Sequence, residues 1–108
     1  MTTEDYCSYE VAKLLKEKGF NYQGFDYIDF EGEVIRQDRP THQMAMKWLR
    51  EVHHLHIGIN PISGKGYNAT IYDVTDFDNC GIISDTEFFF HAEEAVEAAL
   101  KYSLENLI

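Results

Sequence analysis

Two hydrophobic periods share this chain, and together they restrict its fold more than any other feature. Over residues 92–107, Ala92, Val96, Ala99, Leu100, Ser103 and Leu107 fall on one helical face, and Glu94, Glu97, Lys101 and Glu105 on the opposite one. Glu97 and Lys101 also stand at the four-residue spacing of a pair along a helix. Over residues 55–60 the period is two instead: Leu55, Ile57 and Ile59 alternate with His56, Gly58 and Asn60, the pattern of a strand with one buried side. A helix apolar along one stripe and a strand apolar on one side bury those surfaces by stacking on each other.

Turn and cap residues divide the rest of the chain. In residues 8–18, Cys7, Val11, Leu14 and Leu15 recur at helical spacing, Ser8 is placed to cap the start, and Gly19 stands where the helix ends. Phe25-Asp26-Tyr27-Ile28-Asp29-Phe30 and Glu33-Val34-Ile35-Arg36, separated by Glu31-Gly32, predict a hairpin. Pro40-Thr41 opens a second helix running to about His53, with Met44, Ala45, Trp48 and Val52 on one side. The strand that begins at Leu55 is expected to stop at Pro61, Ser63-Gly64-Lys65-Gly66 to turn the chain, and residues 67–74 to return. A further short strand is expected within 82–90.

Because strands and helices do not alternate singly, the expected fold is α+β with two layers. An antiparallel sheet carries about three helices packed on one face, in the order helix, hairpin, helix, two or three strands, helix. All 108 residues are expected to form one domain, since 44% are hydrophobic and no repeat or low-complexity stretch interrupts them.

Charge narrows the function classes. Nineteen acidic residues against nine basic ones give a net charge of −10, whose field repels phosphate backbones and anionic lipid, so neither nucleic acid nor membrane is expected as a partner. Arg36, Arg39, Lys47 and Arg50 are expected to decorate a solvated face. No apolar run approaches the ~20 residues that cross a bilayer. Cys7 and Cys80 form no Cys-x-x-Cys pair, and Met1-Thr2-Thr3-Glu4-Asp5 lacks the features of a secretory leader, so the expectation is a cytoplasmic protein with two small buried thiols.

Three patterns bear on chemistry. Residues 76–87 are similar to the calcium loop of EF-hand proteins: Asp76 and Asp78 occupy the first and third places, Gly81 the sixth, the Ile82 carbonyl a further ligand position and Glu87 the twelfth. Cys80 departs from that pattern at the fifth place, and residues 67–75 have strand composition where an entering helix belongs. His54 and His56 share one side of a strand at a metal-chelating spacing, with no third ligand identified in the sequence; His42 and His91 are remote. Neither cysteine is marked as a nucleophile, and no two carboxylates are marked as sharing a cleft. No metal, cofactor or catalytic residue is therefore expected, and Asp76, Asp78 and Glu87 stand as the metal candidates to be checked.

Several segments resemble known families. Residues 8–15 are similar to the first helix of an excisionase-type helix-turn-helix, but aromatic strand material follows Gly19 where the recognition helix would stand. The order from Thr41 onward resembles a double-stranded RNA-binding domain, whose last helix carries lysines where this chain has Ala92-Glu93-Glu94. Pro40-Thr41, Gln43, Ala45, Trp48-Leu49-Arg50-Glu51, Glu93-Glu94-Ala95, Glu97-Ala98-Ala99-Leu100 and Leu104 resemble a family of small uncharacterised proteins of gut bacteria, their prophages and mobile elements. That resemblance implies an intracellular accessory protein and transfers no activity to any residue.

The expected function is a non-enzymatic accessory or protein-interaction module. Phe88-Phe89-Phe90 and Tyr102 cannot all point inward, so a second copy is expected to cover part of the apolar surface. Two alternatives come from other classes: an acidic DNA mimic that inhibits a nucleic-acid-binding protein, and a calcium binder using the 76–87 loop.

Overall fold

The computed structural model describes residues 6–22, 24–37, 39–76 and 78–108, with the backbone alone at 25–27 and 35–37. Met1-Thr2-Thr3-Glu4-Asp5, Phe77 and the Arg36 side chain lie outside the described residues. The elements are α1 (Tyr9–Glu17), β1 (Phe25–Ile28), β2 (Val34–Gln37), α2 (His42–His53), β3 (Leu55–Ile62), β4 (Gly66–Asp73), β5 (Gly81–Asp85) and α3 (Ala92–Tyr102), which a π-helical turn over Ser103–Leu107 extends. The fold is α+β, with three helices and a three-stranded antiparallel sheet ordered β3-β4-β5. The β1–β2 hairpin forms a separate two-stranded sheet.

Helix ends follow their caps. Ser8 Oγ accepts the Val11 N–H at 3.1 Å and starts α1. At its end the Gly19 and Phe20 N–H groups donate to the Lys16 and Leu15 carbonyls, with Gly19 at φ 101°. Thr41 Oγ1 caps α2 by accepting the Met44 N–H at 3.1 Å.

The β1–β2 loop has an equally local cause. The Gly32 N–H donates to the Asp29 carbonyl, Gly32 sits at φ 82°, and Asp29 Oδ1 accepts from both the Glu31 and Glu33 N–H groups at 2.9 Å. This is a type I turn closed by a left-handed residue, which aligns Ile28 directly opposite Val34.

Pro61 does not end β3. It lies within the strand opposite Tyr67, whose N–H turns away to Phe89, so this pair exchanges no hydrogen bond and a missing Pro61 N–H leaves the ladder intact on an edge strand. Phe89 extends the sheet past β5 through two 2.7 Å bonds with Tyr67, and a bulge between Ile71 and Tyr72 shifts the β4–β5 register. Gly66 is required twice over: its φ is 102°, and a Cβ there would run into the Phe89 carbonyl oxygen.

The core lies on one side of the three-stranded sheet. Leu55 and Ile57 of β3 and Ala69 and Ile71 of β4 meet Ala45 and Leu49 of α2 and Ala95, Val96, Ala99, Leu100 and Leu104 of the C-terminal helix. α2 and α3 lie against β3 and β4, while α1 packs mainly on α3 with Val11 and Leu15. The inward face of α2 is rotated from the expected one: Ala45 and Leu49 are buried and Trp48 is half-buried against Phe20 and His53, but Met44 and Val52 are exposed. On the far side of the sheet Thr70 Oγ1 accepts from Asn60 at 2.8 Å and donates to Asp85 at 2.6 Å, closing a polar ladder across all three strands.

Candidate functional site

The end of the N-terminal segment, the start of α2 and the middle of α3 converge on one carboxylate, that of Glu97. Ser8 spends its Oγ lone pair on capping α1, which leaves its N–H and O–H directed out of the helix start. Both reach Glu97, at 2.7 Å to Oε1 and 2.8 Å to Oε2. Thr41 fixes the first turn of α2, so His42 enters the helix with its ring buried and Nε2 2.8 Å from Glu97 Oε1. Cys7, fully buried, is held by its own N–H on the Pro40 carbonyl at 2.9 Å, by Arg39 on its carbonyl at 3.3 Å, and by its thiol on the Thr41 carbonyl at 3.7 Å.

The expected outward Glu97–Lys101 pair is therefore not what the fold uses. Glu97 turns inward, and Lys101 pairs with Glu10 of α1 at 2.8 Å. Periodicity groups Glu97 with Glu94, Lys101 and Glu105, but it stands at the edge of that polar stripe, one turn from Leu100, and α1 with Cys7 and Ser8 covers that flank of α3.

Electrostatics set what the cluster can do. Burial works hardest on Glu97, to raise its pKa, but the hydrogen bonds from His42 and Ser8 together outweigh it and hold the carboxyl below its ordinary value. Burial, followed by the negative charge of Glu97, pushes the Cys7 thiol up to about 12 against a smaller opposing pull from Arg39. A thiol in that range stays protonated at neutral pH and is a poor nucleophile. With three donors on its two oxygens, Glu97 is engaged as an acceptor and has little capacity left as a general base.

A cleft of about 320 Å³ opens beside the cluster, lined by Tyr6, Ser8, Arg39, His42, Glu97 and the Glu93-Glu94 pair that begins α3. The Arg39 guanidinium lies 4.5 Å over the Tyr9 ring at this end of α1. Among the described residues, Cys7, His42 and Glu97 are the group whose donor atoms converge closely enough for one metal ion, all within 4.8 Å of one another.

The residues singled out from sequence lie elsewhere. His54 is the left-handed C-cap of α2 at φ 57°, and His56 of β3 is partly buried with its ring 6.0 Å from Tyr72. Asp76 and Asp78 fall in the β4–β5 connection, where Asp76 accepts from the Asp78 N–H at 3.0 Å and the Asn79 amide at 3.1 Å, and Glu87 lies beyond β5. Strand β4 precedes this loop where an EF-hand has a helix. Cys7 is buried as expected, but Cys80 is exposed, because its loop lies outside the helix-covered side of the sheet.

The basic residues divide between two places. Arg39 faces the cleft, while Lys47 and Arg50 line an open groove of about 410 Å³ between α2 and β3, with Met44, Met46, His56 and Ile57. No family model, curated protein or solved structure matches the chain. Its function is therefore read from its own geometry. The sequence signal that pointed to the cluster was faint: two capping hydroxyls, Ser8 and Thr41, each next to a residue able to donate to or coordinate a partner.

Proposed function

We propose that this chain is a non-enzymatic accessory module that acts by protein–protein contact, and that its primary contact is with a second copy of itself through the β1–β2 arm. One observation carries the reading. Ile28 and Val34 stand directly opposite each other on the arm, each 70% exposed, and Phe30 at the turn is fully exposed. Three adjacent apolar side chains that bury little in their own chain form the kind of patch that another molecule covers.

Chemical complementarity favours a second copy as that molecule. Asp29, Glu31 and Glu33 surround the apolar tip, whereas the α2–β3 groove offers the Met44 and Met46 side chains beside Lys47 and Arg50. Methionine surfaces adapt to an inserted aromatic ring, and the two cations complement the acidic turn. Two arms exchanged between two grooves form a closed, two-fold symmetric pair. The high thiol pKa and the fully engaged Glu97 support the non-enzymatic part of the reading.

Sedimentation equilibrium tests it. The wild-type chain is expected to dimerise reversibly, whereas Phe30→Ser in the arm and Lys47→Glu/Arg50→Glu in the groove each give monomers. Mixing the two variants restores one arm–groove pair and a weaker heterodimer. A wild-type protein that sediments as a monomer at its highest soluble concentration refutes the proposal.

A further inference from the structure

We propose that Cys7 Sγ, His42 Nε2 and one carboxylate oxygen of Glu97 form a binding site for a zinc-type divalent transition-metal ion, with its fourth position open to the adjoining cleft. This goes beyond the self-association reading and does not depend on it. A thiolate, an imidazole and a carboxylate are the donor types that a borderline ion such as Zn²⁺ takes, and three protein ligands plus a solvent position is a common arrangement for it.

The geometry is close to what coordination needs. The three donor atoms all lie within 4.8 Å of one another. Tetrahedral zinc with these ligands sets its donor atoms roughly 3.3–3.6 Å apart, so side-chain rotations of about 1 Å assemble the site. His42 Nε2 and Glu97 Oε1, now 2.8 Å apart in a hydrogen bond, separate slightly as the ion takes the place of the shared proton.

Each ligand already has outer support. Ser8 holds Glu97 through two bonds, Pro40 and Arg39 hold the Cys7 backbone, and the Thr41 cap fixes the helix start that carries His42. The cleft supplies an entry path, and among its described lining residues Glu93, Glu94 and Glu97 set negative charge around it, opposed by Arg39. Arg39 is itself drawn toward the Tyr9 ring.

Protons balance simply. The Cys7 S–H proton leaves to solvent as the sulfur–metal bond forms, and so does the His42 Nε2–H proton that Glu97 accepted; a proton taken up from solvent at Nδ1 keeps the metal-bound ring neutral. No electron transfer is involved. The bound ion joins positions 7, 42 and 97, tying the N-terminal segment, α2 and α3 at one point.

Cobalt(II) is the probe, because a cobalt–thiolate bond gives a near-ultraviolet charge-transfer band and a tetrahedral site gives intense visible bands. The titration uses metal-free Cys80→Ser protein, so that the exposed thiol cannot contribute, and circular dichroism confirms its fold. Saturation at one equivalent with the thiolate band, bleached by added zinc, is the expected result. Cys7→Ser on this background abolishes the band. Ser8→Ala keeps it and weakens binding about 10-fold, the usual size of an outer-support effect. His54→Ala/His56→Ala leaves both band and affinity unchanged. Absence of the band in folded Cys80→Ser protein under excess cobalt overturns the proposal without relying on any substitution in the cluster. A band that persists without Cys7 overturns it equally.

Discussion

Replacing Glu97 by alanine is the sharpest single perturbation of this fold. The substitution removes the acceptor for the Ser8 N–H, the Ser8 O–H and His42 Nε2 at once. A buried donor that loses its partner costs about 1–3 kcal/mol, and charge-assisted bonds lie toward the upper end. The Ser8 hydroxyl can rotate and the cleft admits water, so the three losses do not add in full, and about 2–4 kcal/mol is the expected sum. For a domain with 5–15 kcal/mol of total stability that is a large share.

Trp48, the only tryptophan and half-buried against Phe20, reports unfolding in urea. With a slope of about 1.5 kcal/mol per molar urea, Glu97→Ala lowers the midpoint by roughly 1.3–2.7 M. Glu97→Gln keeps the shape and one acceptor oxygen but loses the charge, so its loss is about 1–2 kcal/mol.

Acid removes the same contribution. The Glu97 carboxyl is depressed in the folded protein, so its contribution is complete above its ordinary value of 4.5 and disappears as pH falls through the lower folded value. The midpoint gap between wild type and Glu97→Gln therefore closes on acidification below about 4.5. Arg39, Glu93 and Glu94 face the same cleft in both proteins and largely cancel in the comparison. A Glu97→Ala protein within about 0.5 kcal/mol of wild type refutes the reasoning, as does a gap that ignores pH.

Two further substitutions probe the sheet. Gly66→Ala meets both an unfavourable φ and the Phe89 carbonyl, and is expected to destabilise by about 2–4 kcal/mol in thermal melts. Gly64→Ala, at φ 78° but in open space, is expected to lose only about 1 kcal/mol; equal effects would mean that the Phe89 contact is irrelevant. Thr70→Val keeps the shape of a buried side chain but strips the Asn60 and Asp85 bonds, so a loss of about 1–3 kcal/mol in urea unfolding is expected, and a neutral result would show that the polar ladder contributes nothing.

The sequence by itself determined the local structure, because the causes are local. Caps at Ser8 and Thr41 and the Gly19 exit act through atoms a few residues apart and stand where periodicity and turn chemistry put them; the hairpin forms as expected, but its turn begins at Asp29, so the strands end at Ile28 and resume at Val34 rather than flanking Glu31-Gly32 alone. Tertiary structure decided the rest. Which stripe of α2 faces inward depends on the surface it meets, and Ala45–Leu49 and Met44–Val52 are neighbouring stripes on one helix. Pro61 is tolerated inside β3 because its partner Tyr67 turns its own N–H toward Phe89, beyond the end of β5.

Glu97 is the clearest case. Its helical period places it outside, but Ser8, 89 residues away, and His42, 55 residues away, supply donors that make the half-buried position favourable. Short-range spacing carries no information about such a meeting. Burying a carboxylate depends on finding several donors in three dimensions, and only the packing of α1, α2 and α3 brings them together.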